Sequence, residues 1–282
     1  MEYYPFKRIT EKSLKNIGLI LFDIDGVIRS VENSYRLSLR KTVYKFSGWD
    51  PSYIDIDNAK NEGIWNNDWD LSLELIKRHI KSKNLNLQIP HRKDIVKSFE
   101  GFYFGESNNK DSLEWSGFIN NEELLVDKEF FNILDKKRII WGFVSGAEFE
   151  SAIFVLEKRL KLTAPPLIAM GDAPDKPDPQ GFILLSKKLL GDKLGPTNIP
   201  IAYVGDTIAD VKTVINARKQ IPTQKFISIG VAPPHLHLKS RLKDRNSYES
   251  NLKKAGADFI LDSVNDLKKI CTDLFERYQS LK

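Results

Sequence analysis

Six short apolar runs recur along this chain, and they constrain its fold more than any other feature of the sequence. Each has the length and the β-branched content of a buried parallel strand. Helical patterns lie between them, such as EFESAIFVLEKRL after the second run and IADVKTVINARK after the fourth. The runs are LILF (19–22), IIWGFV (139–144), LIAM (167–170), IAYV (201–204), FISIGV (226–231) and DFIL (258–261). Strands and helices in alternation predict an α/β fold with a doubly wound parallel sheet.

The segment from about 30 to 120 interrupts this alternation. It shows helical periodicity in SLELIKRHI and RKDIVKSFEGFYF, and it contains no apolar run comparable to the six above. We therefore expect a helical domain that is inserted after the first strand. The predicted domains are residues 1–29 with 122–282 for the α/β core, and residues 30–121 for the inserted helical domain.

The charge of the chain permits an anionic partner but does not indicate nucleic acid. Lys and Arg number 43 against 38 Asp and Glu, a net charge of +5. The basic stretches KSRLKDR and DKKRII are short and interrupted, and they lack interleaved aromatic residues. No apolar run approaches the ~20 residues that span a bilayer, and the first residues lack the apolar core of a signal peptide. We expect a cytoplasmic protein with a small anionic substrate and neither a nucleic-acid nor a membrane partner; its oligomeric state has no signal in the sequence.

Polar residues of related chemistry follow four of the apolar runs. Four carry carboxylates, and the others supply a hydroxyl, a backbone amide and an ammonium group. In chain order they are Asp23, Asp25, Ser145, Gly146, Lys176, Asp206 and Asp210. Ligands of an open parallel sheet bind beyond the carboxyl ends of its strands, so we expect these residues to share one site.

The expected site combines groups that suit a metal ion and a phosphate. Crowded carboxylates repel one another and raise each other's pKa values unless a cation lies among them. Hard oxygen ligands of this kind suit Mg²⁺. Lys176, Ser145 and the amides near Gly146 supply donors for a phosphate group. The sequence therefore predicts a magnesium site next to a phosphate site.

These residues resemble, in identity and order, the four signature motifs of the haloacid dehalogenase (HAD) superfamily. The matching stretches are DIDG after a strand, FVSG, the lysine of KPDP, and GDTIAD. The resemblance covers about residues 19 to 231. The interval from Asp23 to Ser145 is long enough for the helical C1-type cap of the phosphoglycolate phosphatase and β-phosphoglucomutase branch. The resemblance implies a Rossmann-like core with an inserted cap domain.

The resemblance also implies a role for each residue. Asp23 would be the nucleophile that becomes an aspartyl phosphate, and Asp25 would be the general acid and then the base. Mg²⁺ would be held by Asp23, the backbone carbonyl of Asp25 and Asp206, while Asp210 would ligate or orient the metal shell. The phosphoryl group would be bound by Ser145, Gly146 and Lys176.

The expected function is that of a Mg²⁺-dependent phosphatase acting on a small phosphorylated metabolite through an aspartyl phosphate. A phosphomutase of the β-phosphoglucomutase type is the nearest alternative, because it uses the same intermediate. A haloacid dehalogenase is less expected, since that reaction needs neither the acid at Asp25 nor a magnesium site. A non-catalytic binding module is also less expected, because the nucleophile Asp23 is intact.

Within the predicted helical domain, the stretch GIWNNDWD (63–70) is unusually polar for a buried helix. We expect Asn67 or Asp68 to contact the substrate; the alternative is that they cap the helix that follows. Arg29 and Arg36 have the charge to hold an anionic group, or they form ion pairs.

His235 and His237 lie after the fifth apolar run. Two histidines at this spacing suggest a metal only when further ligands converge on them, and the sequence contains no evident partner. A structural or solvated role is therefore favoured for both.

Overall fold

The structure, a computed structural model, describes residues 16–60, 62, 65, 67–105, 115–191, 194–196 and 198–280. Within them the chain forms two compact units. The core unit comprises residues 1–30 and 124–282, and the helical unit comprises residues 31–123. None of the helices in the described ranges is long and apolar enough to cross a membrane.

All six predicted apolar runs form strands of one parallel sheet in the core unit. The strands of the described residues are β1 Gly18–Phe22, β2 Arg29–Ser30, β3 Glu123–Leu124, β4 Ile139–Val144, β5 Leu167–Ile168, β6 Ile201–Gly205, β7 Phe226–Val231 and β8 Phe259–Leu261. The six-stranded sheet has the order β5-β4-β1-β6-β7-β8, and each neighbouring pair is parallel. The third run is shorter than predicted, since only Leu167–Ile168 of LIAM is a strand.

The first strand lies in the middle of the sheet, between β4 and β6. The register pairs Phe22 of β1 with Phe143 of β4 and with Val204 of β6. After β1 the chain adds β4 and β5 on one side of it, and then β6, β7 and β8 on the other side. The strand order therefore reverses at β1, and the carboxyl end of β1 is a topological switch point. Residues that follow these three strands therefore lie side by side.

Helices cover both faces of the sheet, as a doubly wound fold requires. The helices of the core unit are α5 Lys128–Lys136, α6 Phe149–Ile153, α7 Gln180–Leu190, α8 Ile208–Gln220, α9 Leu242–Ala255 and α10 Leu267–Ser280, with a π-helical turn at Phe154–Arg159. Alternate residues of β1 point to opposite faces: Phe22 packs in a cluster with Phe130 and Phe131, and Leu21 packs in another with Phe182. All five residues of β1 are buried, which explains why its sequence is continuously apolar.

The helical unit consists mainly of α-helices, which its sequence periodicity predicted. They are α1 Tyr35–Ser47, α2 Tyr53–Lys60, α3 Asp68–Ser82 and α4 Arg92–Phe104. Its interior holds a buried carboxylate, Glu122, which accepts hydrogen bonds from the hydroxyls of Ser34 (2.8 Å) and Tyr103 (3.0 Å). In the core unit, the backbone N–H of Leu125 donates to Ile28 O (2.9 Å). The end of the first core segment and the start of the second are therefore neighbours, as expected when the helical unit is an insertion into the core chain.

Packing of α7 against the sheet provides a test of the core. Leu185 is fully buried, whereas the adjacent Leu184 is 38% exposed. We expect Leu185→Ala to lower the free energy of unfolding by about 2–5 kcal/mol, because it removes buried apolar atoms and leaves a cavity. Leu184→Ala is the matched control and should change it by less than about 0.5 kcal/mol. Urea denaturation of both variants measures the difference, and equal losses would contradict this packing.

Candidate functional site

Asp23 directly follows β1, and two contacts fix its side chain. Its backbone N–H donates to Val204 O (2.8 Å), which continues the pairing of β1 with β6 by one residue. Its Oδ1 accepts a hydrogen bond from the backbone N–H of Ile24 (2.8 Å) and lies 3.0 Å from Lys176 Nζ. The carboxyl group is therefore held at the carboxyl end of the central strand, where the sequence placed it.

Lys176 joins residues that are far apart in the sequence. Its Nζ lies 3.0 Å from Asp23 Oδ1 and 2.6 Å from Asp210 Oδ1. It also donates to the hydroxyl of Tyr203 (3.2 Å). Burial by itself lowers the pKa of Lys176, but Asp210 and Asp23 raise it well above its usual range. The lysine is therefore charged, and it partly neutralises the carboxylates around it.

Asp206 follows β6 and lies against the loop that follows β1. Gly26 has a φ of +79°, and a Cβ at this position would come within 2.1 Å of Asp206 Oδ2. Both the backbone conformation and the space therefore require the glycine of DIDG. Tyr248 of α9 donates to the backbone carbonyl of Asp206 (2.9 Å), which holds this residue from the other side.

Asp210 combines a structural and a site role. Thr207 is the N-cap of α8: its hydroxyl accepts from the backbone N–H of Asp210, while Asp210 Oδ2 accepts from Thr207 N (2.9 Å) and Thr207 Oγ1 (2.6 Å). This is a capping box. The other oxygen, Oδ1, is the one that contacts Lys176. The helix start therefore orients Asp210 towards the lysine.

The carboxylates of this site form one cluster suited to a cation. Within the described part of the chain, Asp23, Asp206 and Asp210 are the one group of potential metal ligands that converge, with ligand oxygens within 4.8 Å of one another. Burial raises the pKa of Asp23 to about 7; Lys176 opposes this shift, while Asp210 and Asp25 add to it. Burial, followed by the charges of Asp210 and Asp23, raises the pKa of Asp206 well above its usual range. Buried oxygens that repel one another in this way fit a divalent cation.

Ser145 and Gly146 follow β4 and share a small cavity with Lys176. The cavity has a volume of about 30 Å³ and includes Ser145, Gly146 and Lys176 in its lining. The Ser145 hydroxyl oxygen accepts from the backbone N–H of Ala147 (3.1 Å), and Ser145 N donates to Ile168 O (2.9 Å). Gly146 is exposed, and a Cβ there would meet no atom within 4 Å. The strand ends therefore bring together the predicted phosphate-binding residues.

Asp25 lies on the turn after Asp23 and is paired with Arg29. The Arg29 Nε lies 2.6 Å from Asp25 Oδ1, and the side chain of Asp25 is 31% exposed. Of the two roles expected for Arg29, binding of an anionic group or an ion pair, the structure contains the ion pair.

Sequence reasoning missed Tyr203, which is 1% exposed in β6. Its hydroxyl donates to Val144 O (2.7 Å) and accepts from Lys176 Nζ (3.2 Å). It thereby connects the lysine to the backbone directly before Ser145. The available signal was a phenol within the apolar run IAYV, because a buried hydroxyl needs a partner.

The three residues proposed to contact substrate have partners inside the helical unit. Asn67 is the N-cap of α3, and its Oδ1 accepts from the backbone N–H groups of Trp69 (2.9 Å) and Asp70 (3.1 Å). The capping alternative is thus correct for this side chain. Asp68 lies 2.7 Å from Lys60 Nζ, and Arg36 is paired with Asp57 and donates to Tyr53 O (3.3 Å).

His237 has a local partner, because its Nε2 lies 2.8 Å from Ala232 O. Neither His235 nor His237 belongs to the converging ligand group of the described residues. The favoured structural role for His237 agrees with this contact.

Comparison with known proteins finds one related curated sequence. No known family model matches the chain. An imidazoleglycerol-phosphate dehydratase from Phytophthora nicotianae is 29% identical over 248 residues, which is 87% of this chain and 50% of that protein. The chain thus spans about half the length of the curated relative that it matches.

Solved structures are similar over nearly the whole chain. A phosphonoacetaldehyde hydrolase-like protein from Oleispira antarctica has a TM-score of 0.65 and 17% identity, over 94% of each chain. A conserved haloacid dehalogenase-like protein from Agrobacterium tumefaciens has a TM-score of 0.60 and 14% identity, over 91% of this chain and 98% of that one. At these identities the likeness establishes a shared fold.

The N-cap contacts of Asn67 lead to a stability prediction. Asn67→Ala should lower the free energy of unfolding by about 1 kcal/mol, because two N–H groups of α3 lose their acceptor. Asn67→Asp is the matched control: it keeps an acceptor oxygen and should retain most of the stability. Thermal melting of both variants checks the effect. If Asn67→Ala melts like the unaltered protein, the cap contributes nothing.

Proposed function

We propose that this chain, which has the haloacid dehalogenase fold that its four motifs predicted, is a Mg²⁺-dependent phosphatase of small phosphate monoesters. The observation that carries the proposal is the contact of Lys176 with Asp23 at the switch point of the sheet. A buried carboxylate held beside a charged lysine is suited to attack a phosphoryl group whose negative charge the lysine offsets.

In the proposed reaction, a carboxylate oxygen of Asp23 attacks phosphorus and the bond from phosphorus to the ester oxygen breaks. The electron pair stays on the ester oxygen, which takes a proton from Asp25 and leaves as an alcohol. Water then attacks the aspartyl phosphate and gives a proton to Asp25. Inorganic phosphate leaves, and both carboxyl groups return to their starting states. The contacts of Asp23 with Ile24 N and Lys176 support this role by fixing the orientation of the carboxylate.

Three groups are proposed to bind the phosphoryl oxygens. Lys176 supplies a positive charge, Ser145 a hydroxyl and Gly146 an exposed backbone amide. Their common position around one cavity supports this assignment. Tyr203 and Asp210 hold the lysine from two further sides, which limits its movement as charge develops on the phosphoryl group.

The cluster of Asp23, Asp206 and Asp210 is proposed to bind Mg²⁺, together with the backbone carbonyl of Asp25. The ion, when bound, neutralises charge on the phosphoryl group and polarises it. The raised pKa values of Asp23 and Asp206 support a cation at this position, because a cation relieves the repulsion that contributes to them. Both oxygens of Asp210 already accept hydrogen bonds or an ion pair, which favours its role in orienting the metal shell.

The helical unit is proposed to select the substrate, because its chain is inserted after the strand that carries Asp23. Asp68 and Arg36 are the polar candidates for this role, since the side chain of Asn67 caps α3. Alanine at a true substrate contact raises KM or lowers kcat/KM without lowering the melting temperature. If Asn67→Ala melts early but keeps the order of preferred substrates, Asn67 acts only as a helix cap.

The proposal is tested with purified protein, Mg²⁺ and a panel of phosphate monoesters. Free phosphate and isomerised product are both measured, which separates hydrolysis from a mutase reaction. Imidazoleglycerol phosphate belongs in the panel because of the relative described above, and its dehydration is measured alongside. We expect free phosphate from at least one monoester.

The nucleophile is tested by Asp23→Asn. We expect turnover to fall by several orders of magnitude while the fold is kept, because the amide does not form the aspartyl phosphate. Asp273→Asn, at an exposed position on α10, is the control and should retain activity. Near wild-type release of phosphate by Asp23→Asn would rule out this mechanism.

Metal dependence is tested by chelation and by binding. Activity should vanish in excess chelator and return with Mg²⁺, whereas Ca²⁺, with its larger radius and higher coordination number, should restore little. Mg²⁺ should also raise the melting temperature of the unaltered protein, because a ligand of the native state stabilises it. Asp206→Asn should weaken that shift. Full activity in excess chelator would contradict the assignment of a metal site to these carboxylates.

A further inference from the structure

Arg29 is a fully buried cation at the end of the turn that carries the two acids of DIDG. Its side chain is 0% exposed. The guanidinium Nε lies 2.6 Å from Asp25 Oδ1, and Nη2 donates to the hydroxyl of Ser151 (2.9 Å). A guanidinium out of water is costly unless charged or polar partners surround it. The pair with Asp25 is therefore partly buried: its cation is out of water, while the side chain of Asp25 is 31% exposed.

The backbone holds the two partners at a constant separation. Ile28 N (2.8 Å) and Arg29 N (3.1 Å) both donate to Ile24 O, and Gly26 N donates to Arg29 O (2.8 Å). These bonds close the turn between Asp25 and Arg29. Ser151, in the middle of α6, contacts the far side of the guanidinium and is itself fully buried. The guanidinium of Arg29 is thus held by Ser151 and in turn holds the partly exposed carboxyl group of Asp25.

We infer that Arg29 is a positioning residue for Asp25: it holds Oδ1, so that Oδ2 is the atom that gives and takes the proton. This inference rests on the phosphatase proposed above. In the first step the Oδ2–H bond breaks, a bond from that hydrogen to the ester oxygen forms, and the resulting carboxylate stays paired with Arg29. In the second step Oδ2 takes a proton from the attacking water.

The inference predicts a dependence on the leaving group. An alkoxide is a poor leaving group and needs the proton of Asp25, whereas p-nitrophenolate leaves without one. The value of kcat/KM reports the steps up to release of the first product. A residue that positions the acid therefore matters for alkyl phosphates and much less for p-nitrophenyl phosphate. A residue that only supports the fold affects both substrates alike.

The test compares Arg29→Gln with the unaltered protein on the best alkyl phosphate of the panel and on p-nitrophenyl phosphate. We expect kcat/KM to fall roughly tenfold to a hundredfold more for the alkyl phosphate than for the aryl phosphate. Arg29→Lys should restore part of the loss, because it returns the charge without the planar fork. In an Asp25→Asn background, Arg29→Gln should add little further loss for the alkyl phosphate.

Ser151→Ala is the second variant, since it disturbs the guanidinium without altering the charge of a buried group. It should show the same selective loss, of smaller size, even if Arg29→Gln does not fold. If the variants lose activity equally on the two substrates, or lose none, while the unaltered protein is active, the positioning role of Arg29 is overturned and the proposed function is not. If the unaltered protein releases phosphate from neither substrate, the proposed function is overturned, and this role with it.

Discussion

The buried ion pairs of Lys176 with Asp23 and Asp210 are the contacts on which the rest of the site depends. Three carboxylates meet at the carboxyl ends of β1 and β6, where burial makes each negative charge costly. Lys176 reduces this cost at 3.0 Å from Asp23 and 2.6 Å from Asp210. The pKa values of Asp23 and Asp206 are raised all the same. The site is thus only partly neutralised by the chain itself, which is the property that suits it to a cation.

Close packing around these charges explains the small residues of the motifs. Gly26 gives space to the carboxylate of Asp206, and a Cβ on Gly205 would come within 2.2 Å of Asp210 Cβ. The segment GDTIAD begins α8 and also supplies two carboxylates of the cluster, those of Asp206 and Asp210. Thr207 and Asp210 form the capping box of α8, and the same Asp210 holds Lys176. Helix capping and site geometry thus stabilise each other.

Each of the two acids in DIDG is paired with a different basic side chain. One of these basic residues is distant from its acid in the sequence and the other is close to it. Asp23 contacts Lys176, which the sheet topology delivers from beyond β5. Asp25 contacts Arg29, which is four residues away on the same turn. The proposed nucleophile and the proposed acid are therefore oriented independently. A substitution at Arg29 disturbs one of them while the other keeps its lysine.

The sequence by itself determined the six strands, their parallel arrangement and the acids and lysine at their ends, because buried parallel strands leave continuous apolar runs and their ligands follow them. It also predicted helices between residues 30 and 121, where the described residues contain α1 to α4. It did not determine the single partner of each polar side chain. Asn67 was expected at the substrate, with a helix cap as the alternative, and the structure contains the cap. The phenol of Tyr203 within IAYV indicated a buried hydroxyl that needs a partner, but not that the partner is Lys176. Those choices depend on which atoms the fold brings within about 3 Å, and only the tertiary structure decides that distance.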